Sequence, residues 1–428
     1  MNNQPAHDIK KVISWALYDW ANSAFATTVM AGFFPVFFKK YWSAGSAVES
    51  TFRLGAANSV ASLVIVAAAP VLGAIADRGS AKKRFLLFFS FLGILMTGGL
   101  YFVSKGDWMT AACLYVLGTI GFSGGNIFYD ALLVSVAGPK KVDFVSALGF
   151  SLGYLGGGLL FAFNVFMTLK PQLFGLANAA EAVRWSYLTV AVWWLLFSLP
   201  IMLVVTEQQE ENSGRLTLKT AAEGFLQLKQ TFVEIRKLKV VVLFLLGYWL
   251  YIDALDTIVR MAVDYGLAIG FKTDGLMIAL LITQFVGFPA AIAFGRIGEK
   301  LGAKTGILIG IGVYLVITVW AYFMRQQTEF YILAVGIGLV QGGVQSLSRS
   351  LYTRIIPQNK SAEFFGFYNM LGKFAAVIGP LLMGWVGVIS GDPRMGILSL
   401  VLLFVAGAVL LSRVDVNEGM RMAREMEQ

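Results

Sequence analysis

Residues 73–84 read GAIADRGSAKKR, and residues 295–304 read GRIGEKLGAK. Each stretch follows a long apolar run, and both place a glycine, an acidic residue, a basic residue and a later lysine in the same order. The four matches keep one offset of 222 residues. A repeat at a constant offset indicates that the chain is built from two related halves.

The composition is that of a membrane protein. Hydrophobic residues make up 57% of the 428 residues and charged residues only 14%, whereas soluble domains carry about 25% charged residues. The sequence contains twelve apolar runs of the roughly 20 residues that a helix needs to cross a bilayer. Six runs precede the one long polar segment and six follow it. We therefore expect twelve membrane-spanning helices in two related sets of six.

The Lys and Arg residues alternate between the two sides of the predicted membrane. With the N-terminus inside, 22 of the 34 fall in cytoplasmic segments, nine on the opposite side, and three (Arg260, Arg349 and Lys373) within spans. This bias predicts that both termini are cytoplasmic. Nucleic-acid binding needs a basic face outside the membrane, so the net charge of +9 does not indicate it. The first apolar run is too long for a signal-peptide core, and the short loops favour a bacterial inner membrane.

The spans and the polar segment predict four regions. These are a first six-helix bundle at 1–205, a cytoplasmic amphipathic linker at 206–239, a second bundle at 240–413 and a cytoplasmic tail at 414–428. Apolar residues recur every three or four positions in the linker. This spacing predicts either a helix on the membrane surface or a solvated helix without membrane contact.

A second repeat places carboxylates inside the predicted membrane. The stretch WALYDWANSAFATTV at 15–29 matches the seventh span at an offset of 234, with Trp15, Asp19, Asn22 and Ser23 opposite Trp249, Asp253, Asp256 and Thr257. A charged side chain near the bilayer centre costs about 2.5 to 3.5 kcal/mol on insertion scales. Asp19 and Asn22 are three residues apart and share one helical face, as do Asp253 and Asp256. The repeat predicts a substrate- or proton-binding cluster, and the alternative is a hydrogen bond between helices of a bundle.

Several motifs resemble those of a known family. The doubled loop motif and twelve spans resemble the major facilitator superfamily, and three stretches resemble its Atg22-like group, also called the unknown major facilitator 1 family: YDWANSAFAT at 18–27, GYLGGG at 153–158 and EFFGFYNMLGKFAAVIGPLL at 363–382. The resemblance implies an all-α integral membrane protein with twelve transmembrane helices in two pseudo-symmetric six-helix bundles. It also implies alternating access, with spans 1, 4, 7 and 10 lining a central cavity and spans 2, 5, 8 and 11 sealing its ends. The group includes vacuolar amino-acid effluxers.

Polar and charged residues of these spans form the predicted binding set. It comprises Tyr18, Asp19, Asn22, Tyr129, Asp130, Asp253, Asp256, Gln341, Gln345, Arg349 and Lys373. Asp130 and Arg349 are predicted either to form an ion pair that closes the cavity or to hold the two ends of a zwitterion. The alternative is that Arg349 reaches lipid phosphate. Lys373 lies too deep to reach either surface and is a predicted partner of Asp253 or Asp256.

The doubled loop motif predicts gating contacts. The predicted gating residues are Gly73, Asp77, Arg78, Gly295, Glu299 and Lys300. The glycine permits close helix approach, and Asp77 is suited to the positive end of a neighbouring helix. The superfamily pattern implies that this helix is span 11. We expect such contacts to form in one state of the transport cycle and to break in the other.

The predicted function is secondary active transport of a small polar or amphipathic solute, coupled to protons through Asp19, Asp130, Asp253 or Asp256. Amino acids are favoured by the resemblance, and the protein is expected to be a monomer that needs no cofactor. The one cysteine, Cys113, and the one histidine exclude a His/Cys metal cluster. The alternatives are an exporter of lipophilic compounds, a solute receptor that does not transport, and an intramembrane enzyme that uses paired carboxylates.

Overall fold

A computed structural model gives the fold of the chain. It describes residues 9–43, 47–78, 81–138, 140–207, 238–270 and 273–427. Most of the predicted linker, residues 208–237, therefore lies outside the described residues. Residues 205–207 follow the end of the sixth helix, and the next described residue, Leu238, directly precedes the seventh helix.

Twelve helices are long and apolar enough to span a membrane within the described residues, as the sequence predicts. They are α1 Ile9–Trp42, α2 Ala47–Arg78, α3 Lys82–Gly99, α4 Trp108–Val136, α5 Val142–Leu169, α6 Ala179–Val204, α7 Lys239–Ala268, α8 Thr273–Leu301, α9 Ala303–Phe323, α10 Gln327–Ile355, α11 Ser361–Ser390 and α12 Pro393–Ser412. A shorter helix, α13 Val416–Glu427, follows. Large apolar side chains such as Leu203 and Val388 are 80% and 82% exposed, as expected for a surface that faces lipid.

Polar residues mark the starts of several helices. The Asp107 carboxylate accepts a hydrogen bond from the Thr110 backbone N–H at 3.2 Å and so caps α4. The Asn178 side chain caps α6 in the same way. These side chains satisfy backbone donors that have no partner within the helix.

The first helix changes its winding along its length. It is α-helical from Ile9 to Ala24, and Phe25–Phe33 and Phe38–Trp42 are wound as π-helix, with the α-helical turn Phe34–Phe37 between them. The α-helical part presents Asp19, Asn22 and Ser23 at the i, i+3 and i+4 spacing of a single face. This face points into the middle of the molecule.

The same pairs of helices pack together in the two halves. In the first half α1 packs against α5 and α6, and α4 packs against α2 and α3; in the second half α7 packs against α11 and α12, and α10 packs against α8 and α9. The helices of the two halves correspond one to one. The internal repeat of the sequence is therefore also a repeat of helix packing.

Two helix pairs form most of the contact between the halves: α5 with α8, and α2 with α11. Each pair includes glycines at points of close approach. At Gly366 of α11, a Cβ atom would lie 2.6 Å from the Ala69 carbonyl oxygen of α2, and at Gly295 of α8 it would lie 2.6 Å from the Ala147 Cβ of α5. A larger residue would force these helices apart.

Both described ends of the chain lie on the same face of the molecule, since twelve crossings separate Ile9 from the end of α12. We call this the terminal face and the other the opposite face. Helices α5 and α11 begin at the terminal face, and α2, α4, α8 and α10 end there. The tail helix α13 also lies there, where the Glu427 carboxylate accepts a hydrogen bond from the Gln358 backbone N–H at 2.6 Å.

Candidate functional site

A polar cavity of about 340 Å³ lies between the two halves. The predicted lining helices α1, α4, α7 and α10 all contribute to its wall. Helices α5, α8 and α11 contribute as well, although the family pattern assigns them to the seals of the cavity. The cavity is therefore bounded by side chains of seven helices.

Nine of the eleven residues in the predicted binding set line this cavity. They are Asp19, Asn22, Tyr129, Asp130, Asp256, Gln341, Gln345, Arg349 and Lys373. The structure thus brings together residues that are more than 350 positions apart in the sequence. Tyr18 and Asp253 lie outside the lining.

The wall formed by α1 and α4 is a network of hydrogen bonds. The Tyr129 hydroxyl donates to Asp19 Oδ2 at 3.0 Å, and Asn22 Nδ2 donates to Asn126 Oδ1 at 2.6 Å. The Trp15 ring stacks on Tyr129 with a centroid distance of 4.3 Å. These contacts fix the orientation of the Asp19 carboxylate.

Arg349 of α10 crosses from the second half into the first. Its Nη1 donates to Asp130 Oδ1 at 2.9 Å and lies 3.7 Å from Asp19 Oδ2. Asn369 Nδ2 of α11 donates to the other Asp130 oxygen at 3.3 Å. Arg349 is only 2% exposed. Of the three roles predicted for it, an ion pair with Asp130 is the contact that the structure shows, and a contact with lipid phosphate is not.

Tyr18 faces α3 and not the cavity. Its hydroxyl hydrogen-bonds the Ser90 Oγ at 2.8 Å, and the residue is fully buried. Tyr18 precedes Asp19 directly, so the two side chains leave the helix about 100° apart. Tyr18 therefore joins α1 to α3 and does not line the cavity in this structure.

Asp253 also lies outside the cavity lining. Its two carboxylate oxygens accept hydrogen bonds from the Gly379 backbone N–H at 3.0 and 2.9 Å, and the residue is 1% exposed. Gly379 directly precedes Pro380, which lies inside α11 and has no N–H of its own. Asp253 thus joins α7 to the proline site of α11. The pair of equivalent residues that faces the cavity is Asn22 and Asp256, and not Asp19 and Asp253.

Asp256 and Lys373 line the cavity from α7 and α11. They interact electrostatically, and Arg260 contributes to the field at both. Neither forms an ion pair or a hydrogen bond with any residue that the structure describes. The predicted pairing of Lys373 with Asp253 or Asp256 is therefore absent from this structure.

The first loop motif meets the start of α11. Asp77 accepts hydrogen bonds from the backbone N–H groups of Ala362 and Glu363 at 3.1 and 2.8 Å, as the superfamily pattern implies. Lys82 Nζ lies 2.9 Å from the same carboxylate. A Cβ at Gly73 would collide with the backbone of Ala362, so only glycine permits this approach. The Arg78 side chain lies outside what the structure describes.

The second loop motif meets the start of α5 in a related way. Gly295 lies against the first turns of α5, but Glu299 forms an ion pair with Lys141 at 3.4 Å and does not cap the helix. Lys300 is exposed. Asp143, in the first turn of α5, accepts a hydrogen bond from Ser350 Oγ at 2.6 Å and pairs with Arg354 at 2.6 Å. The doubled motif thus forms two different contacts.

The hydrogen bonds between the halves cluster on the terminal side of the cavity. Besides the contacts of Asp77, Asp143 and Arg349, Ser146 Oγ donates to the Ser346 carbonyl oxygen at 2.7 Å. Most of these bonds involve the first two turns of α5 and the last turns of α10. The two halves are therefore joined on this side.

Several residues of the site were not singled out from the sequence. Gln284, Tyr154 and Phe150 line the cavity, and Ser146 binds α10. Single hydroxyl, amide and aromatic groups are common in membrane helices, so these residues carried no signal of their own. Tyr154 lies within the GYLGGG run at 153–158, but a single tyrosine there gives no separate signal.

Two bundles of six helices around a shared polar cavity define a transporter of the major facilitator type. Solved structures support the fold: the proton:xylose symporter XylE matches with a TM-score of 0.71 at 13% identity, covering 98% of both chains. FucP in the outward conformation matches with a TM-score of 0.70 at 11% identity, covering 96% of this chain and 99% of that one. The predicted fold class is confirmed.

Sequence comparisons identify the family. The family model described as "Vacuole effluxer Atg22 like" matches residues 47–143 and 136–424. The chain is 37% identical over 409 residues to the uncharacterized MFS-type transporter YxiO of Bacillus subtilis, with 95% of each chain covered. It is 24% identical to autophagy-related protein 22 of Kluyveromyces lactis over 81% of this chain and 75% of that one. The chain belongs to the Atg22-like family of major facilitator transporters, which confirms the predicted family and the prediction that it is not an enzyme.

Proposed function

We propose that this protein is a secondary active transporter that moves a small polar solute by alternating access, coupled to protons, with amino acids as the favoured solutes. The observation that carries the proposal is a charged cavity between two halves whose mutual hydrogen bonds cluster on its terminal side. If the bonds on the terminal side break and the halves close on the opposite side, the same cavity becomes exposed to the terminal face. The positive-inside bias supports a cytoplasmic terminal face.

The cavity favours a small and polar solute. Its volume of about 340 Å³ lies at the lower end of the roughly 300 to 1,000 Å³ of small-molecule pockets. Carboxylates, an ammonium group and several amides line it. Transfer of a lipophilic compound into this lining would leave those groups without partners, which costs free energy. The lining therefore argues against an exporter of lipophilic compounds.

Amino acids suit this lining for two reasons. A free amino acid carries an ammonium and a carboxylate group, and the cavity presents charges of both signs. The Atg22-like group that the sequence resembles also includes vacuolar amino-acid effluxers. Both reasons support the solute class without selecting a particular amino acid.

Proton coupling is supported by the surroundings of Arg349. Asp19 and Asp130 both lie within 4 Å of its Nη1, and Tyr129 donates to Asp19. If the halves separate on the terminal side, Arg349 withdraws and two neighbouring carboxylates lose their cation. Buried unpaired carboxylates are costly, and binding a proton reduces this cost. A proton can thus replace the arginine during each cycle.

Transport and coupling are tested in liposomes. A thermal-shift screen with amino acids, peptides and nucleosides selects a solute, because a ligand stabilises the fold that binds it. Counterflow of that solute in radiolabelled form is expected, whereas binding without exchange would indicate a receptor. With a pH dye inside the liposomes, Asp19→Asn is expected to lose solute-driven proton movement and to keep counterflow. Glu425→Gln, in the exposed tail helix, is the matched control, and unchanged proton movement in Asp19→Asn would contradict coupling.

A further inference from the structure

The charges that line the cavity fall into two groups that differ in their partners. The first, which we call the Arg349 cluster, consists of Arg349, Asp130, Asp19 and Ser146. In it, Arg349 Nε donates to Ser146 Oγ at 2.9 Å, Nη2 to the Ser146 carbonyl oxygen at 2.8 Å and Nη1 to Asp130. All three guanidinium nitrogens therefore already donate to protein acceptors.

The guanidinium group of Arg349 is also enclosed by aromatic rings. Its Cζ lies 4.4 Å from the ring centroid of Phe150, 4.9 Å from that of Trp15 and 5.3 Å from that of Tyr129. All three rings belong to the first half, whereas Arg349 belongs to the second. The side chain is thus enclosed by the opposite half, and little of it is left for a solute. Its contacts are those of a latch between the halves.

The second group, which we call the Asp256 subsite, consists of Asp256, Lys373 and Gln341. All three line the cavity, and all three belong to the second half. Asp256 and Lys373 make no hydrogen bond or ion pair with any described residue, and Gln341 Oε1 is buried without a hydrogen-bond partner among them. The groups of this subsite are therefore available to a ligand, in contrast to those of the Arg349 cluster.

Asp256 and Lys373 interact electrostatically with each other and with Arg260, but charges in a cavity without a hydrogen-bonded partner are costly to the protein alone. A solute with both a cationic and an anionic group would provide the partners that they lack. Charge-assisted hydrogen bonds of this kind are roughly twice as strong as neutral ones. The arrangement also distinguishes a zwitterion from a solute of one charge, because the latter leaves one of the two charges without a hydrogen-bonded partner.

Tyr154 completes the subsite from the other half. Its ring lies between two glycines of the second half: a Cβ would lie 2.9 Å from the ring at Gly287 and 2.6 Å from it at Gly342. The residue lines the cavity and interacts electrostatically with both Asp256 and Asp19. Tyr154 belongs to the first half and packs against the second half at the wall of the cavity.

We propose that the Asp256 subsite binds the charged groups of the solute, with its cationic group at Asp256 and its anionic group at Lys373, while the Arg349 cluster is a latch that the solute does not touch. The assignment rests on the proposed transport function and deepens it. It divides the predicted binding set into residues that determine affinity and residues that determine the rate of opening.

Three related probes test the assignment on the full-length protein in detergent. L-Phenylalanine carries both charges, its amide keeps only the cation, and 3-phenylpropionate keeps only the anion; the aromatic ring suits a lining that includes Phe122, Tyr248 and Tyr368. Asp256→Asn is expected to raise the Kd for phenylalanine and for its amide by roughly tenfold to a hundredfold. Lys373→Gln is expected to raise the Kd for phenylalanine and for 3-phenylpropionate by a similar factor. Glu425→Gln is the matched control.

The latch is tested with Arg349→Lys, which keeps the charge but cannot form the same three hydrogen bonds. It is expected to keep the wild-type Kd for phenylalanine and to slow counterflow of the same solute at least tenfold. Thermal unfolding of each variant shows that it remains folded.

Three results would overturn the assignment. They are wild-type affinity for phenylalanine in both Asp256→Asn and Lys373→Gln, loss of phenylalanine binding in a folded Arg349→Lys, and no binding of phenylalanine to the wild type. The proposed transport function fails separately. It fails only if no solute from the broader screen shows counterflow, whichever residues bind it.

Discussion

Asp253 and Asp256 lie on one helix, three residues apart, and have different surroundings. Asp253 accepts two contacts from the Gly379 N–H beside the proline of α11, whereas Asp256 faces the cavity without a bonded partner among the described residues. A carboxylate that accepts a hydrogen bond from a backbone N–H contributes to the stability of the fold. A carboxylate that faces a cavity affects what binds there.

We therefore expect Asp253→Asn to lower the free energy of unfolding by about 1 to 3 kcal/mol, because the amide cannot replace a charge-assisted bond to a buried N–H. Solute KM should change less than threefold in the folded variant. Asp256→Asn should show the reverse, with a small change in stability and a large change in KM. Thermal unfolding and counterflow on both variants measure this, and a variant of Asp253 with normal stability but altered KM would contradict the assignment.

The residues of the cavity were largely predictable from the sequence, because charged residues inside apolar runs are few and costly. The direction of each side chain was harder to predict. Asp253 faces α11 because the backbone beside Pro380 offers it an N–H, and that contact depends on packing 126 positions away in sequence. Ser146 gave no signal, since a serine in a membrane helix has many uses. It binds Arg349 only because α5 and α10 meet there.

At the scale of elements, α2 and α11 approach each other closely near the terminal face. A Cβ at Gly366 would lie 2.6 Å from the Ala69 carbonyl oxygen and 2.8 Å from Pro70 Cα. Both atoms belong to backbone or to a rigid ring, so neither can move away cheaply. Gly384, further along α11, has no atom within 4 Å of such a Cβ. The two glycines form a matched pair on one helix.

Gly366→Ala is accordingly expected to disfavour the joined state of the terminal face and to slow counterflow several-fold, whereas Gly384→Ala leaves both unchanged. The readout is the labelling rate of a cysteine placed at Ser361, in a Cys113→Ser background. Ser361 is buried at the start of α11, so its labelling should rise in Gly366→Ala. Equal labelling in the two alanine variants would contradict the role assigned to this contact.

The exit of α6 is joined to the start of α3 by Glu207. Its carboxylate accepts hydrogen bonds from the backbone N–H groups of Lys82 and Lys83 at 2.9 and 3.3 Å. Burial nevertheless raises the pKa of Glu207 above its ordinary value, and this effect outweighs the hydrogen bonds. Lys82 also pairs with Asp77. The start of the linker is thus connected to the contact between α2 and α11.

A raised carboxyl pKa means that the folded protein holds the Glu207 proton more tightly than the unfolded chain does. This contribution to stability is present below the unfolded pKa, about 4.3, and is lost as pH rises through the folded value. The difference in melting temperature between wild type and Glu207→Gln should therefore fall as pH rises from 4 to 7. Glu425→Gln controls for loss of an exposed carboxyl, and a difference that grows with pH would contradict this account.

The extents of the helices could be predicted well, since a span needs a fixed length of apolar sequence. The detailed contacts of the doubled loop motif could not. Asp77 caps α11 but Glu299 pairs with Lys141, although both occupy the same place in the repeat. Equivalent positions become different contacts because the partner helices begin with different residues. The predicted linker helix stays a prediction.

At the scale of the whole molecule, the two halves repeat one packing scheme and meet along α5 with α8 and α2 with α11. Their bonds cluster near the terminal face, with the Arg349 cluster between those bonds and the cavity. Movement of the two halves about these helix pairs would break the cluster and open the terminal face. The proposed alternating access requires closure at either end, and the internal repeat supports it because the two halves share one packing scheme.

The most direct test of alternating access is the distance between the halves at both faces, measured by double electron–electron resonance in a Cys113→Ser background. Spin labels at the exposed residues Lys140 and Lys300 report on the terminal face, and labels at Lys170 and Arg325, also exposed, report on the opposite face. We predict two distance populations at each face. Addition of solute or a change in pH should lengthen the distance at one face and shorten the distance at the other. A single unchanged distance at both faces, in protein that binds solute, would contradict alternating access.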